Sequence, residues 1–128
     1  FHSYDSQGQP IYHTNVMMTI ATEYAVVCLE SIRDEEERQR VVESLEASGH
    51  EIVPITLEQV YHFAGNMLEV LDDKGQSLLL MSAAAKASLT PDQLRSLQRY
   101  SRILAPDLTT IETIGGGSAR CMVAEIFI

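Results

Sequence analysis

The order strand–strand–helix–strand can be read twice along this chain, over residues 15–55 and again over residues 67–114. That recurrence restricts the fold more than any other feature. A unit of roughly 40–50 residues built in this way cannot bury both faces of its sheet alone, so successive units must pack on one another. The predicted class is α/β (α+β), with helices laid against small sheets. Two such units make a thin core. Their exposed strand edges would seek a partner, either the rest of a larger ring or a second copy of the chain in a homo-oligomer.

Local signals place the elements. Apolar runs over residues 15–21 and 24–30, parted by Thr22 and Glu23, read as a hairpin. Asp34 as N-cap, with Glu37 three residues on, predicts a surface helix over 34–48, and Gly49 stands where a left-handed residue ends it. Residues 51–55 return as a strand. Thr56-Leu57-Glu58-Gln59 is a capping box that opens a short helix ending near Gly65. Residues 67–71 and 77–82 read as strands around the turn Asp72-Asp73-Lys74-Gly75. Thr90-Pro91-Asp92-Gln93 is the clearest helix start, because Thr90 caps, Pro91 needs no N–H at the first position and Gln93 reaches back. Leu94, Leu97 and Leu104 give that helix its apolar side. Residues 109–114 are β-prone, a glycine run follows, and Cys121 opens a final strand over 121–128.

The net charge of −9 argues against a phosphate backbone as partner, since no Lys/Arg cluster interleaves with aromatics. An acidic surface steers a small cationic substrate favourably, although it equally serves to keep a protein soluble. No apolar run approaches the ~18 residues of a membrane span, so no membrane partner is expected. Two widely separated cysteines, Cys28 and Cys121, suggest free thiols in a reduced, cytoplasmic setting rather than a disulfide framework. Neither they nor the histidines show metal-ligand spacing, so no metal and no cofactor are expected. The chain starts at Phe1 and closes on an apolar run, which suggests a piece of a longer protein.

Chemistry concentrates in Gly115-Gly116-Gly117-Ser118-Ala119-Arg120-Cys121-Met122. Glycines let a ligand approach the main chain, and a thiol beside them can act as a nucleophile. The plainer alternative, a glycine turn leading to a buried thiol, stands beside it. His13, at a loop–strand junction next to Asn15, suits the proton acceptor that such a thiol needs, though a lone histidine there is more often a surface residue. Asn66 precedes a strand, where an amide either caps a turn or lines a pocket. Cys28 reads as core, and His2, His50 and His62 as structural.

Three segments, Tyr12-His13-Thr14-Asn15-Val16-Met17-Met18, Phe63-Ala64-Gly65-Asn66-Met67-Leu68 and the glycine–cysteine run, resemble the amidinotransferase and arginine deiminase (pentein) superfamily. The nearest likeness is to its bacterial amidinotransferase-like, citrulline-related hydrolase branch. The resemblance implies a five-bladed β/α propeller of which residues 1–128 form a single partial domain, about two C-terminal blades. It implies Cys121 as nucleophile and His13 as general acid/base, with Asn15, Asn66, Gly116, Gly117 and Ser118 around a guanidine such as arginine. Relatives often carry an acidic residue where this chain has Asn15. Their guanidinium-binding carboxylates lie mostly upstream of Phe1, and the chain shows no replacement. The implied activity is a deiminase, amidinohydrolase or amidinotransferase. A cysteine hydrolase of another amide and a non-catalytic binding or assembly module are the rival readings.

Overall fold

The computed structural model describes residues 1–124 and 126. In the first unit, β1 (Met18–Ile20) pairs antiparallel with β2 (Tyr24–Val27), which pairs parallel with β3 (Glu51–Pro54). A parallel return needs a crossover, and α2 (Glu35–Ala47) supplies it. The predicted cap is present, since Asp34 accepts from the Glu37 N–H at 2.8 Å. The second unit repeats this topology. β4 (Leu68–Leu71) is antiparallel to β5 (Ser77–Leu80), and β5 is parallel to β6 (Arg102–Leu104). Its crossover consists of two helices, α4 (Ala83–Ser88) and α5 (Pro91–Gln98).

Between the units lies the short α3 (Leu57–Tyr61), opened by the predicted capping box on Thr56. The two capping-box glutamines also meet each other. Gln59 Nε2 donates to Gln93 Oε1 at 2.7 Å and to the Ser88 carbonyl at 2.8 Å, while Gln93 Nε2 donates to the Pro54 carbonyl at 2.7 Å. One apolar core runs through both units, with Tyr24, Val26, Val53, Leu79, Met81 and Leu97 all buried. Cys28 is fully buried, as its core reading required, and burial pushes its thiol up. Tyr24 shows how the core handles a polar atom. Its hydroxyl bonds Ser101 at 2.8 Å, yet burial still pushes its pKa up to about 12.

Several expectations need correction. Residues 15–21 are not one strand, because α1 (Thr14–Met17) forms a helical turn first, with Met17 buried. The second strand stops at Val27, and Leu29–Ser31 forms a 3₁₀ turn in which Ser31 donates to the Cys28 carbonyl at 2.7 Å. Residues 109–114 are helical, in α6 (Thr109–Gly115), so the second unit closes on β6 instead. Asp107 takes the Thr109 N–H at 3.0 Å and its hydroxyl at 2.6 Å, and this local anchoring overrides β-branched propensity. Leu104 accordingly sits on β6, exposed, and not on the helix. Cys121 falls within a further helical turn, α7 (Ala119–Met122), not at a strand start. The rest of the predicted final strand includes Glu125, Phe127 and Ile128, which lie outside the described residues.

Glu69 on β4 fastens the two sheets. It accepts from the Thr22 N–H at 2.7 Å, the Thr22 hydroxyl at 2.8 Å and the Ser77 hydroxyl at 2.6 Å. Partial burial works to raise its pKa, but these donors outweigh burial and hold it below its ordinary value. A depressed folded-state pKa contributes stability above the unfolded value, near 4.3, that is lost as pH falls through the folded one. Glu69→Gln is therefore expected to lower the urea midpoint at pH 7 and to converge with the native protein near pH 3. Parallel curves at both pH values would show that the charge contributes nothing.

Candidate active site

His13 is the extended residue before α1, and the turn that carries it is held by the segment around Gly65. Thr19 donates to the Gly65 carbonyl at 2.8 Å and accepts from the Met67 N–H at 3.1 Å. Gly65 packs so closely that a Cβ there would lie 2.4 Å from the Val16 carbonyl oxygen. Phe63, just upstream, has φ 66°, an uncommon conformation for a bulky residue. The segment thereby presents Asn66 inward, almost fully buried.

From the other side, α6 is capped by Gly116, whose φ of 69° lets its N–H reach back to the Glu112 carbonyl at 3.1 Å. The chain then turns into α7, which carries Cys121. Gly117 lies against that cysteine, and a Cβ on it would meet Cys121 Cβ at 3.0 Å and Sγ at 3.2 Å. A side chain here would press on the thiol itself, which accounts for one glycine of the run by contact.

Asn66 is the hub of the polar contacts. Its amide nitrogen donates to the Asn15 carbonyl at 2.7 Å and contacts Cys121 Sγ at 3.3 Å, while its amide oxygen accepts from the Ser118 N–H at 3.2 Å. The hydroxyl of Ser118, fully buried, donates to the buried Glu112 carboxylate. A continuous chain of contacts thus runs from Glu112 through Ser118 and Asn66 to the sulfur.

A hollow of about 430 Å³ brings His13, Asn66, Gly116, Gly117 and Cys121 onto one wall system. Its remaining walls are largely apolar, from Ile11, Val16, Leu57, Val60 and Phe63. His13 and Cys121 are solvent-accessible. Two expected residues play other parts. Ser118 is buried behind the wall and holds Asn66, and Asn15 offers its backbone carbonyl to Asn66 without lining the hollow. Sequence reasoning missed Asp5, Tyr61, Phe63 and Glu112. Only Asp5 had a local signal, the turn-forming run Asp5-Ser6-Gln7-Gly8. A separate groove of about 510 Å³ between α3, α4 and α5 is lined by Gln59, His62, Ser88 and Gln93 among others, with no thiol. Among the described residues no three or more His, Cys, Asp and Glu side chains gather as a metal site would need.

Comparison with solved structures places the fold. The chain superposes with a TM-score of 0.67 on an apo crystal structure of ArgZ, an arginine dihydrolase from the ornithine–ammonia cycle in cyanobacteria. The two are 14% identical, and the match covers 93% of this chain but 17% of that one. Fold and sequence together define a member of the amidinotransferase and arginine deiminase superfamily. The chain belongs to the family described as N,N dimethylarginine dimethylhydrolase, eukaryotic, whose model matches residues 1–128. A search of the curated proteins finds no match.

Proposed function

We propose that this chain carries the nucleophile and the acid/base group of a hydrolase acting on a guanidine of the arginine type. The observation that carries the reading is a single hollow holding His13, Asn66 and Cys121, with Asn66 in contact with the sulfur. His13 takes the Cys121 Sγ proton, and the sulfur attacks the central guanidinium carbon. His13 gives a proton to the departing amine as the C–N bond breaks, leaving an amidino-thioether on Cys121. His13 then takes a proton from water, whose oxygen adds to the same carbon. The C–S bond breaks, the thiol is restored and a ureido product leaves. Asn66 holds the sulfur in place, and the glycine run leaves room beside it. The hydrolase reading is supported over transfer by the family's description and by that of ArgZ. On this reading the two strand–strand–helix–strand units are adjacent blades of a five-bladed propeller.

Mass mapping after treatment with 2-chloroacetamidine, an electrophile shaped like a guanidinium, tests the site. Labelling is expected at Cys121 and not at Cys28, which is wholly buried and serves as an internal control. His13→Ala should slow the labelling by roughly 10²-fold, the lower end of the range ascribed to a positioned proton acceptor. Equal labelling of both thiols, or indifference to His13→Ala, would overturn the assignment.

A further inference from the structure

We infer that Asp5 is the carboxylate that receives the guanidinium of the substrate, and so a specificity-determining residue of this site. The inference rests on the function proposed above. It also reverses the expectation that the chain offers no carboxylate for this purpose.

The local sequence fixes Asp5 in place. Residues 4–10 form a tight turn closed by a bridge between Tyr4 and Pro10, with the Asp5 N–H donating to the Gln9 carbonyl at 2.9 Å. One carboxylate oxygen, Oδ1, accepts from the Gln7 N–H at 2.9 Å and the Gln9 N–H at 2.8 Å. Gly8, at φ 82°, completes the turn. Ser6 then bonds the Tyr61 hydroxyl at 2.6 Å, which ties the turn to the end of α3 beside the hollow. The turn is fastened from below as well, since the Tyr4 N–H donates to the Ser31 carbonyl at 2.8 Å.

The environment of the carboxylate points to a cation. Asp5 lines the hollow that holds Cys121 and His13, and it is the only carboxylate among the described lining residues. The Arg33 guanidinium approaches the turn, but it reaches the Asp5 backbone carbonyl at 3.5 Å and stacks over the Tyr4 ring at 5.0 Å. Among the described residues no cation forms an ion pair with the Asp5 side chain, and no hydrogen bond engages Oδ2. Asp5 is half-buried and water can serve it in the free site, whereas a cation that enters a largely apolar hollow loses water and requires a partner of opposite sign. A guanidinium placed for attack by Cys121 is such a cation, and Asp5 is the anion available to it there. The apolar walls would take the substrate's aliphatic stem. The predicted ligand class is therefore a planar cation on a short apolar chain, and not a neutral amide.

Asp5→Asn separates charge from architecture, because the amide oxygen still accepts from Gln7 and Gln9 while the negative charge is gone. Asp5→Ser, whose hydroxyl can hold a similar turn, is the second variant. Two measurements are made on the protein. The first is the rate of Cys121 alkylation by cationic 2-chloroacetamidine divided by that by neutral iodoacetamide. Both variants are expected to lower this ratio by about ten-fold or more, the range for losing one charge-assisted hydrogen bond. The second is steady-state turnover of arginine, where KM should rise more than kcat falls. An unchanged ratio in either folded variant would overturn the role of Asp5. A native protein that shows the charge-selective ratio but hydrolyses no guanidine would sink the proposed reaction while leaving Asp5 as a cation site.

Discussion

Cys121→Ser is expected to abolish guanidine hydrolysis, lowering turnover by a factor on the order of 10⁴ or more, while the protein stays folded. Loss of the nucleophile removes the covalent route altogether, and in comparable enzymes such a change costs most of the catalytic power. A factor of 10⁴ corresponds to roughly 5.5 kcal/mol of transition-state stabilisation. The fold should not notice. Cys121 is exposed, and its side chain supports no part of the buried core. Its sulfur contacts Asn66 Nδ2 at 3.3 Å, an interaction that a serine hydroxyl can replace. Surface exchanges of this kind usually alter stability by less than about 0.5 kcal/mol. The urea midpoint and the turnover number, measured on one preparation, separate the two effects. Hydrolysis persisting within ten-fold of the native rate would show that the thiol is not the nucleophile. A collapse of the urea midpoint would mean instead that Cys121 is structural.

The parts of the fold legible in the sequence are those fixed by residues three or four apart. The capping boxes at Thr56 and Thr90, the cap at Asp34 and the left-handed Gly49 depend on neighbours within a turn, so spacing alone revealed them. The repeated topology followed because each unit's strands alternate with a well-capped helix. The errors fell where a local cue opposed propensity. Residues 109–114 carry three threonines and two isoleucines, which favour a strand, yet Asp107 and Gly116 bracket them as a helix. Ser82, read as the end of a strand, in fact caps α4.

Two residues that line the hollow, Cys121 and His13, were legible in the sequence, and the residues that support them were not. Cys121 and His13 stood out because a glycine run and a polar junction are unusual settings for a thiol and an imidazole. The bond from Asn66 to the Asn15 carbonyl spans 51 positions, and the contact with Cys121 spans 55. No spacing rule reaches so far. Glu112 and Ser118 were equally hidden, since their role depends on how α6 folds back on α7, and α6 was expected to be a strand. Asp5 carries only a turn signal in the sequence, and it is the turn at residues 4–10 that brings it to the hollow.

Gly65→Ala is the substitution expected to cost the fold most, about 3 kcal/mol, at the upper end for overpacking a close contact. The added methyl would lie 2.4 Å from the Val16 carbonyl oxygen and 2.9 Å from both the Cα and the carbonyl carbon of Met17. These are backbone atoms, so no side chain can rotate out of the way. Relief requires that α1 and the 63–67 segment move apart. Such movement would stretch the Thr19 bonds to the Gly65 carbonyl and Met67 N–H, and the Asn66 bond to the Asn15 carbonyl. Since His13 precedes α1 and Asn66 contacts Cys121, the same displacement would separate His13 from Cys121, the two residues to which the proposal gives the chemistry. A 1 Å error in such a pair can cost on the order of 10²-fold in rate. The variant should therefore show a lowered urea midpoint together with reduced His13-dependent alkylation of Cys121 under conditions where it is still folded. Gly75→Ala is the control, because a Cβ there meets nothing within 4 Å, so its cost is confined to the strain of a φ of 76°. Gly65 does not lie in the left-handed region, so equal losses would show that its close contact costs no more than the φ strain at Gly75 and would count against the steric argument. A larger loss at Gly65, accompanied by the alkylation defect, would establish that the close approach of two backbones positions the site.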